Sequence, residues 1–204
     1  MPSTTTHTKN SRPRGTSKHP RSDALVILKN DHRTVEKLFK SYERASERAY
    51  KTMRRLVDEM ITELSVHAFI EEHVLYPAAK AEVPEAVDDV LEAVEEHHVV
   101  KWQLQELVGL DPEDERFRPK VTVLIENVRH HVREEETEFF PLLRSEMERR
   151  RLLELGDELE AMRRSAPELP HPRLPDGPDD HLVPDAVTSV IDRAKDMVAS
   201  VRSV

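Results

Sequence analysis

The chain has no cysteine, four glycines and nine aromatic residues in 204. Without cysteine there is no disulfide, zinc ribbon, thiolate-held cluster or Cys nucleophile. Four glycines are too few for an all-β chain, which needs many tight turns, or for a Gly-rich nucleotide loop. Long apolar runs are missing as well. The longest, Ala24–Leu28, is far short of the roughly 20 residues of a membrane span, and the N-terminus has no apolar signal segment. These absences predict a soluble, cytoplasmic protein with no membrane contact. The length suits one domain of roughly 100–200 residues plus tails. Abundant instead are charge, at 35% of residues, and histidine, with 11 in a chain of net charge −9.

Charge and proline are unevenly placed. Residues 1–22 hold Lys9, Arg12, Arg14, Lys18 and Arg21 and no acid, so the remainder carries 26 basic against 40 acidic residues. The basic stretch, rich in Ser, Thr and Pro, reads as a disordered tail. It is the one part suited to nucleic acid, because an acidic body repels a phosphate backbone. Residues 165–185 hold six of the 14 prolines and read as an extended linker. Beyond it, residues 186–204 are expected to form a short amphipathic helix. Its apolar face, Val187, Val190, Ile191, Ala194, Val198 and Val201, would dock on the body, a protein partner or a second copy.

The stretch 23–147 contains one glycine and repeats with heptad spacing. Ser22 is the expected N-cap of a first helix with the stripe Leu25, Leu28, His32, Val35, Phe39, Tyr42. A second stripe runs Met53, Val57, Met60, Leu64, His67, Glu71, Val74. A third, opened by Pro84 and closed at Gly109, runs Val87, Val90, Val94, His97, Lys101, Leu104. The fourth runs Phe117, Val121, Leu124, Val128, His131, Glu135, then Phe139 or Glu138, then Leu142. Four such seams with short connections predict an all-α, up-down-up-down four-helix bundle. A fifth helix is expected at 148–164, with Leu152, Leu155, Leu159 and Met162 inward.

Each stripe carries one histidine among apolar residues, and His67 and His131 are followed four residues later by Glu71 and Glu135. An i, i+4 pair shares one helix face, and a buried carboxylate needs a cation or hydrogen-bond partners. Apart from Lys101 no base follows these seams, so a divalent metal is the natural cation. Four imidazoles and two carboxylates suffice for two ions, and suit iron, manganese or zinc.

The sequence also repeats itself. His67-Ala-Phe-Ile-Glu71-Glu72 and Tyr76-Pro77 align with His131-Val-Arg-Glu-Glu135-Glu136 and Phe140-Pro141, while Asp31-His32-x-x-Val35 aligns with Glu96-His97-x-x-Val100. The offsets, 64 and 65 residues, describe a duplicated helix hairpin with a pseudo-two-fold site between its copies. Pro77 and Pro141 are expected to kink or end their helices at matching heights.

These residues, His32, His67-x-x-x-Glu71, His97 and His131-x-x-x-Glu135 with their E-E-x-x-x-Y/F-P tails, resemble the hemerythrin-type HHE cation-binding family, in its bacterial form, over about 23–147. The resemblance implies a bundle holding two non-haem iron ions, oxo- or hydroxo-bridged, with Glu71 and Glu135 spanning both. It implies oxygen binding or sensing, handling of nitric oxide or peroxide, or iron–sulfur repair. Oxygen-carrying members place a histidine where Lys101 stands and use His-x-x-x-x-Asp in the fourth helix. This chain has neither, which turns the expectation from reversible oxygen carriage towards redox turnover, peroxide chemistry or metal loss.

The expected ligands are therefore His32, His67, Glu71, His97, His131 and Glu135, with His97 preferred over His98. Support of a ligand from behind falls to His73, His98, His130, Glu72 and Glu136, with a solvated face as the other reading of the two acids. Tyr42, Tyr76 and Trp102 line either a channel or the core. The function expected is binding or sensing of oxygen, peroxide or nitric oxide. The alternatives are a catalase-like or iron-supplying enzyme and a metal-free or zinc-stabilised helical interaction module.

Overall fold

The computed structural model describes residues 22–172, and all regular structure in them is helical. Four rods run up, down, up and down. The first is α1 (Ala24–Glu43). The second is α2 (Tyr50–Ile70), continued by a π turn (Glu71–Leu75) and α3 (Tyr76–Glu82). The third, α4 (Val87–Leu107), starts from a 3-10 turn at Pro84–Ala86. The fourth is α5 (Phe117–Glu134), continued by a second π turn (Glu135–Phe139) and α6 (Phe140–Glu146). Short connections between long rods make neighbours antiparallel. A fifth helix, α7 (Arg149–Arg163), packs on the α1–α2 hairpin. Most of the basic tail, the linker beyond Pro172 and the helix expected at 186–204 lie outside the described residues. No helix among the described residues is long and apolar enough to cross a membrane.

One expectation is corrected and a second made specific. The N-cap of α1 is Asp23, not Ser22: Asp23 Oδ1 accepts from the Val26 N–H at 3.0 Å. The same carboxylate holds Arg144 at 2.8 Å, tying the start of α1 to α6. Neither Pro77 nor Pro141 ends its helix. Each opens a new α segment directly after a π turn. A proline ring collides with the carbonyl four residues back, and the wider π turn, in which the Tyr76 N–H reaches back to the Glu71 carbonyl, accommodates it. The extra residue shifts the seam by one place. Phe139 and Phe140 are therefore both buried, and Glu138 is exposed.

The core divides in two. One cluster, including Leu25, Leu28, Ile70, Tyr76 and Phe140, extends under Leu152, Leu155 and Leu159 of α7. The other, including Phe39, Met60, Leu104, Phe117 and Leu124, fills the opposite end. Leu169, just after α7, leans against this second cluster.

α7 approaches α1 closely at Gly156, where a Cβ would stand 2.3 Å from the Ser22 carbonyl oxygen. Gly156→Ala is expected to lower the melting temperature in thermal circular dichroism. Backbone displacement costs roughly 1–3 kcal/mol, more than the roughly 1 kcal/mol alanine adds to helix propensity. Unchanged melting would contradict this contact.

Candidate metal centre

Between the two apolar clusters four histidines meet at one level: His32 from α1, His67 from α2, His97 from α4 and His131 from α5. None is more than 5% exposed. Glu71 and Glu135, each the first residue of a π turn, join them at 0% and 3% exposure. The heptad spacing brings these six inward because each follows its apolar neighbours by three or four residues.

The six form a compact, nearly symmetric cage. Nε2 of His32 faces Nε2 of His67 at 3.2 Å, and the Nε2 atoms of His97 and His131 stand 3.1 Å apart. Each carboxylate touches one histidine of each hairpin. Glu71 Oε2 lies 3.0 Å from His67 Nε2 and 3.5 Å from His97 Nε2. Glu135 Oε2 lies 3.2 Å from His32 Nε2 and 3.5 Å from His131 Nε2. Ligand-type atoms of His32, His67, Glu71 and Glu135 fall within 4.8 Å of one another, and so do those of Glu71, His97 and His131.

A carboxylate stands behind every one of these rings. Glu136 meets His32 Nδ1 at 2.9 Å and Glu72 meets His97 Nδ1 at 3.0 Å. Asp31 meets His67 Nδ1 at 3.5 Å and Glu96 meets His131 Nδ1 at 2.7 Å. The pattern obeys the duplication: each hairpin's second Glu serves the first His of the other hairpin. Two of the supports are themselves anchored, Glu72 by Lys101 at 2.8 Å and Asp31 by Arg163 of α7 at 2.6 Å.

A carboxylate only accepts, so the Nδ1 facing it carries the proton, and in a neutral ring Nε2 is left with its lone pair. Two such lone pairs 3.1–3.2 Å apart repel unless a cation lies against both. Two nitrogens at about 2.1 Å from one ion, at right angles, stand about 3.0 Å apart. With the rings in that tautomer, neither oxygen of Glu71 has a hydrogen-bond donor, nor has Glu135 Oε2. Orphaned buried oxygens facing paired nitrogens fit divalent metal, and the mixed donor set fits iron, manganese or zinc.

Protons take the cation's role in the metal-free chain. Burial opposes charge on His67, but Glu71 and Asp31 outweigh it and raise its pKa well above the ordinary imidazole value. His131 is raised in the same way by Glu135 and Glu96 against its burial. Burial likewise opposes ionisation of Glu135, yet His131, His32 and His67 hold it below the usual carboxylate range. An entering ion must displace the His67 and His131 protons. Cobalt(II) affinity is therefore expected to rise from about pH 6 to about pH 8, measured by equilibrium titration; a flat profile would contradict this.

The other singled-out residues separate. Glu72 and Glu136 stand behind ligand-type histidines. His73 instead bonds the Phe69 carbonyl at 2.9 Å and stacks on the Phe69 ring, and its pKa is lowered by burial. His98 accepts from Trp102 Nε1 at 3.1 Å. His130, half exposed, lies near Glu96 and Glu134. Tyr76 is buried, and its hydroxyl donates to Glu135 Oε1 at 3.0 Å. Asp31 and Glu96 were not among the expected supports, although the signal is present: an acid directly precedes the first His in both copies. Glu72→Gln takes the carboxylate from His97, and metal affinity is expected to fall about 10- to 100-fold; a titration showing less than a twofold change would contradict that role.

Residues 23–143 match the family model of the hemerythrin HHE cation binding domain. An uncharacterized hemerythrin-like protein of Schizosaccharomyces pombe is 26% identical over 178 residues, 87% of this chain and 85% of its own. A DNA nickase of Nostoc is 26% identical over 121 residues, 59% of this chain but 33% of the nickase. Among solved structures, a hemerythrin HHE cation binding domain-containing protein from Mycobacterium kansasii superposes with a TM-score of 0.60 at 25% identity. That match covers 70% of this chain and 86% of the other. With the bundle, the duplicated hairpin and the His/Glu cage in place, the chain belongs to the hemerythrin HHE cation-binding domain family.

Proposed function

We propose that the chain is a cytoplasmic, non-haem di-iron protein that binds or senses a small ligand: oxygen, nitric oxide or peroxide. His32, His67, His97 and His131 would ligate the two ions terminally, and Glu71 and Glu135 would span both. The observation that carries this reading is Glu71, fully buried, with imidazoles of both hairpins as the close polar partners of its carboxylate. Bound iron would supply an open coordination position and electrons for the ligand.

The chain's own residues shape what reaches that position. Beside the four imidazoles lies a cavity of about 20 Å³, walled by Val35, Leu64, Ala68, Val100, Val128 and Val132. It has room for about one water-sized molecule, and its apolar walls favour a neutral diatomic over an ion. At the other end Tyr76 holds a proton against Glu135. Burial and the charges of Glu135 and Glu71 raise its pKa well above the ordinary value, which keeps the hydroxyl a donor. The repeat-equivalent residue, Phe140, has no hydroxyl and stacks on His32 with ring centroids 5.8 Å apart. The two halves of the centre are therefore chemically unequal.

That inequality favours a second reading, an enzyme that consumes peroxide with Tyr76 as its proton donor. Stopped-flow mixing of iron-loaded protein with oxygen, nitric oxide or peroxide separates the two. Binding or sensing gives one saturable spectral change. An enzyme destroys many equivalents of peroxide and slows in Tyr76→Phe. No response to any of the three would sink both readings.

A further inference from the structure

The two hairpins repeat each other at the centre but not on their outer faces. α7 closes the α1–α2 side, laying Leu152, Leu155 and Leu159 over a cluster that includes Ala24, Ile70 and Val74. On the α4–α5 side, the positions equivalent to Ala24, Ile27, Ile70 and Val74 are Asp89, Glu92, Glu134 and Glu138. These four acids and Glu96 line a pocket of about 100 Å³ that also reaches His131 and Glu135. Glu135 is 3% exposed, and the close polar partners of its Oε2 are the cage imidazoles of His32 and His131. The pocket thus joins a surface cluster of acids to a buried carboxylate of the cage.

Glu96 stands at the junction. Its Oε2 accepts from His131 Nδ1 at 2.7 Å, and its Oε1 lies 3.8 Å from His130 Nε2. His130 Nε2 is in turn 3.2 Å from Glu134 Oε1. Glu96, His130 and Glu134 offer three ligand-type atoms within 4.8 Å of one another. Among the described residues, Asp89, Glu92 and Glu138 form no ion pair, so their negative field is not cancelled locally.

We propose that this pocket is the route by which divalent transition-metal ions reach the buried cage, with Glu96, His130 and Glu134 as the outer docking station. This rests on the metal centre proposed above. A cleft lined by one sign of charge concentrates counter-ions and raises on-rates by about 10- to 1,000-fold. One imidazole among carboxylates favours transition metals over magnesium or calcium. His130 is half exposed and its Nδ1 is met by Arg133 at 3.1 Å, so the ion's gain there is partly offset by moving Arg133 aside. The outer station is therefore weak, and the ion passes inward. The opposite face offers no such path, because α7 covers it with leucine.

Cobalt(II) uptake by the metal-free full chain, followed by stopped-flow absorbance, tests the route. The variant D89N/E92Q/E134Q/E138Q keeps every cage residue and every carboxylate behind one. It is expected to reach the wild-type cobalt content at least about tenfold more slowly. The control E47Q/E113Q/E115Q/E160Q, which removes four exposed acids elsewhere, should load at the wild-type rate. Raising ionic strength should slow the wild type, a readout that needs no variant. A route variant as fast as wild type, or a wild-type rate indifferent to salt, overturns the route while leaving the centre intact. A wild-type chain that takes up no cobalt overturns both.

Discussion

Glu71→Gln is expected to remove at least one metal ion from the chain while costing the metal-free fold less than the roughly 3–5 kcal/mol of a broken buried ion pair. The substitution keeps the shape and deletes a fully buried charge whose close polar partners are imidazoles of both hairpins. Loss of a spanning ligand should weaken metal binding by more than the roughly 100-fold upper end for residues that only support a ligand. Stability moves differently. Removing one partner of a buried ion pair is costly because it leaves the other charge uncompensated. Here His67 can release its proton once Glu71 no longer helps to hold it charged, which relieves that cost in part. Metal analysis beside chemical denaturation of the metal-free protein checks both halves. A helical module without metal would show neither effect, and a large loss of metal-free stability would mean that Glu71 serves the fold.

Chelation should destabilise the loaded protein strongly. A ligand bound only by the native state contributes about 4 kcal/mol when its free concentration is 1,000 times its dissociation constant. For a domain of this size each kcal/mol shifts melting by roughly 2–4 °C, so removing one such ion should lower it by roughly 8–16 °C. Calorimetry with and without chelator, at fixed protein concentration, measures this. Coincident melting curves would contradict a cage whose paired Nε2 atoms and inward carboxylate oxygens face one another around an ion.

Much of the centre was legible because heptad periodicity and chemistry coincide. A histidine in an apolar seam, repeated at a fixed offset, specifies both a helix face and a level along the bundle. That reasoning brings His32, His67, His97, His131, Glu71 and Glu135 to one level, and burial separates His97 from His98. The π turns were not legible, because a proline in a helical pattern normally signals an end. Here the rod widens by one residue and continues, which carries Tyr76, Phe139 and Phe140 inward. The docking of α7 on one hairpin alone depends on Gly156 meeting the start of α1, a long-range approach with no local signal. The acidic pocket follows from that one-sided docking. Asp31 and Glu96 were legible in principle, since each precedes the first His of its copy. Their role depends on rings approaching from a neighbouring helix, which periodicity along one helix does not reveal.

The most direct test of the di-iron centre is an anaerobic ferrous titration of the metal-free chain, with tightly bound iron counted by elemental analysis. The two-fold cage of four imidazoles and two carboxylates predicts about two irons per chain, with binding lost in His67→Ala and in His131→Ala. Less than about half an equivalent in the wild type, unchanged by either substitution, would contradict it.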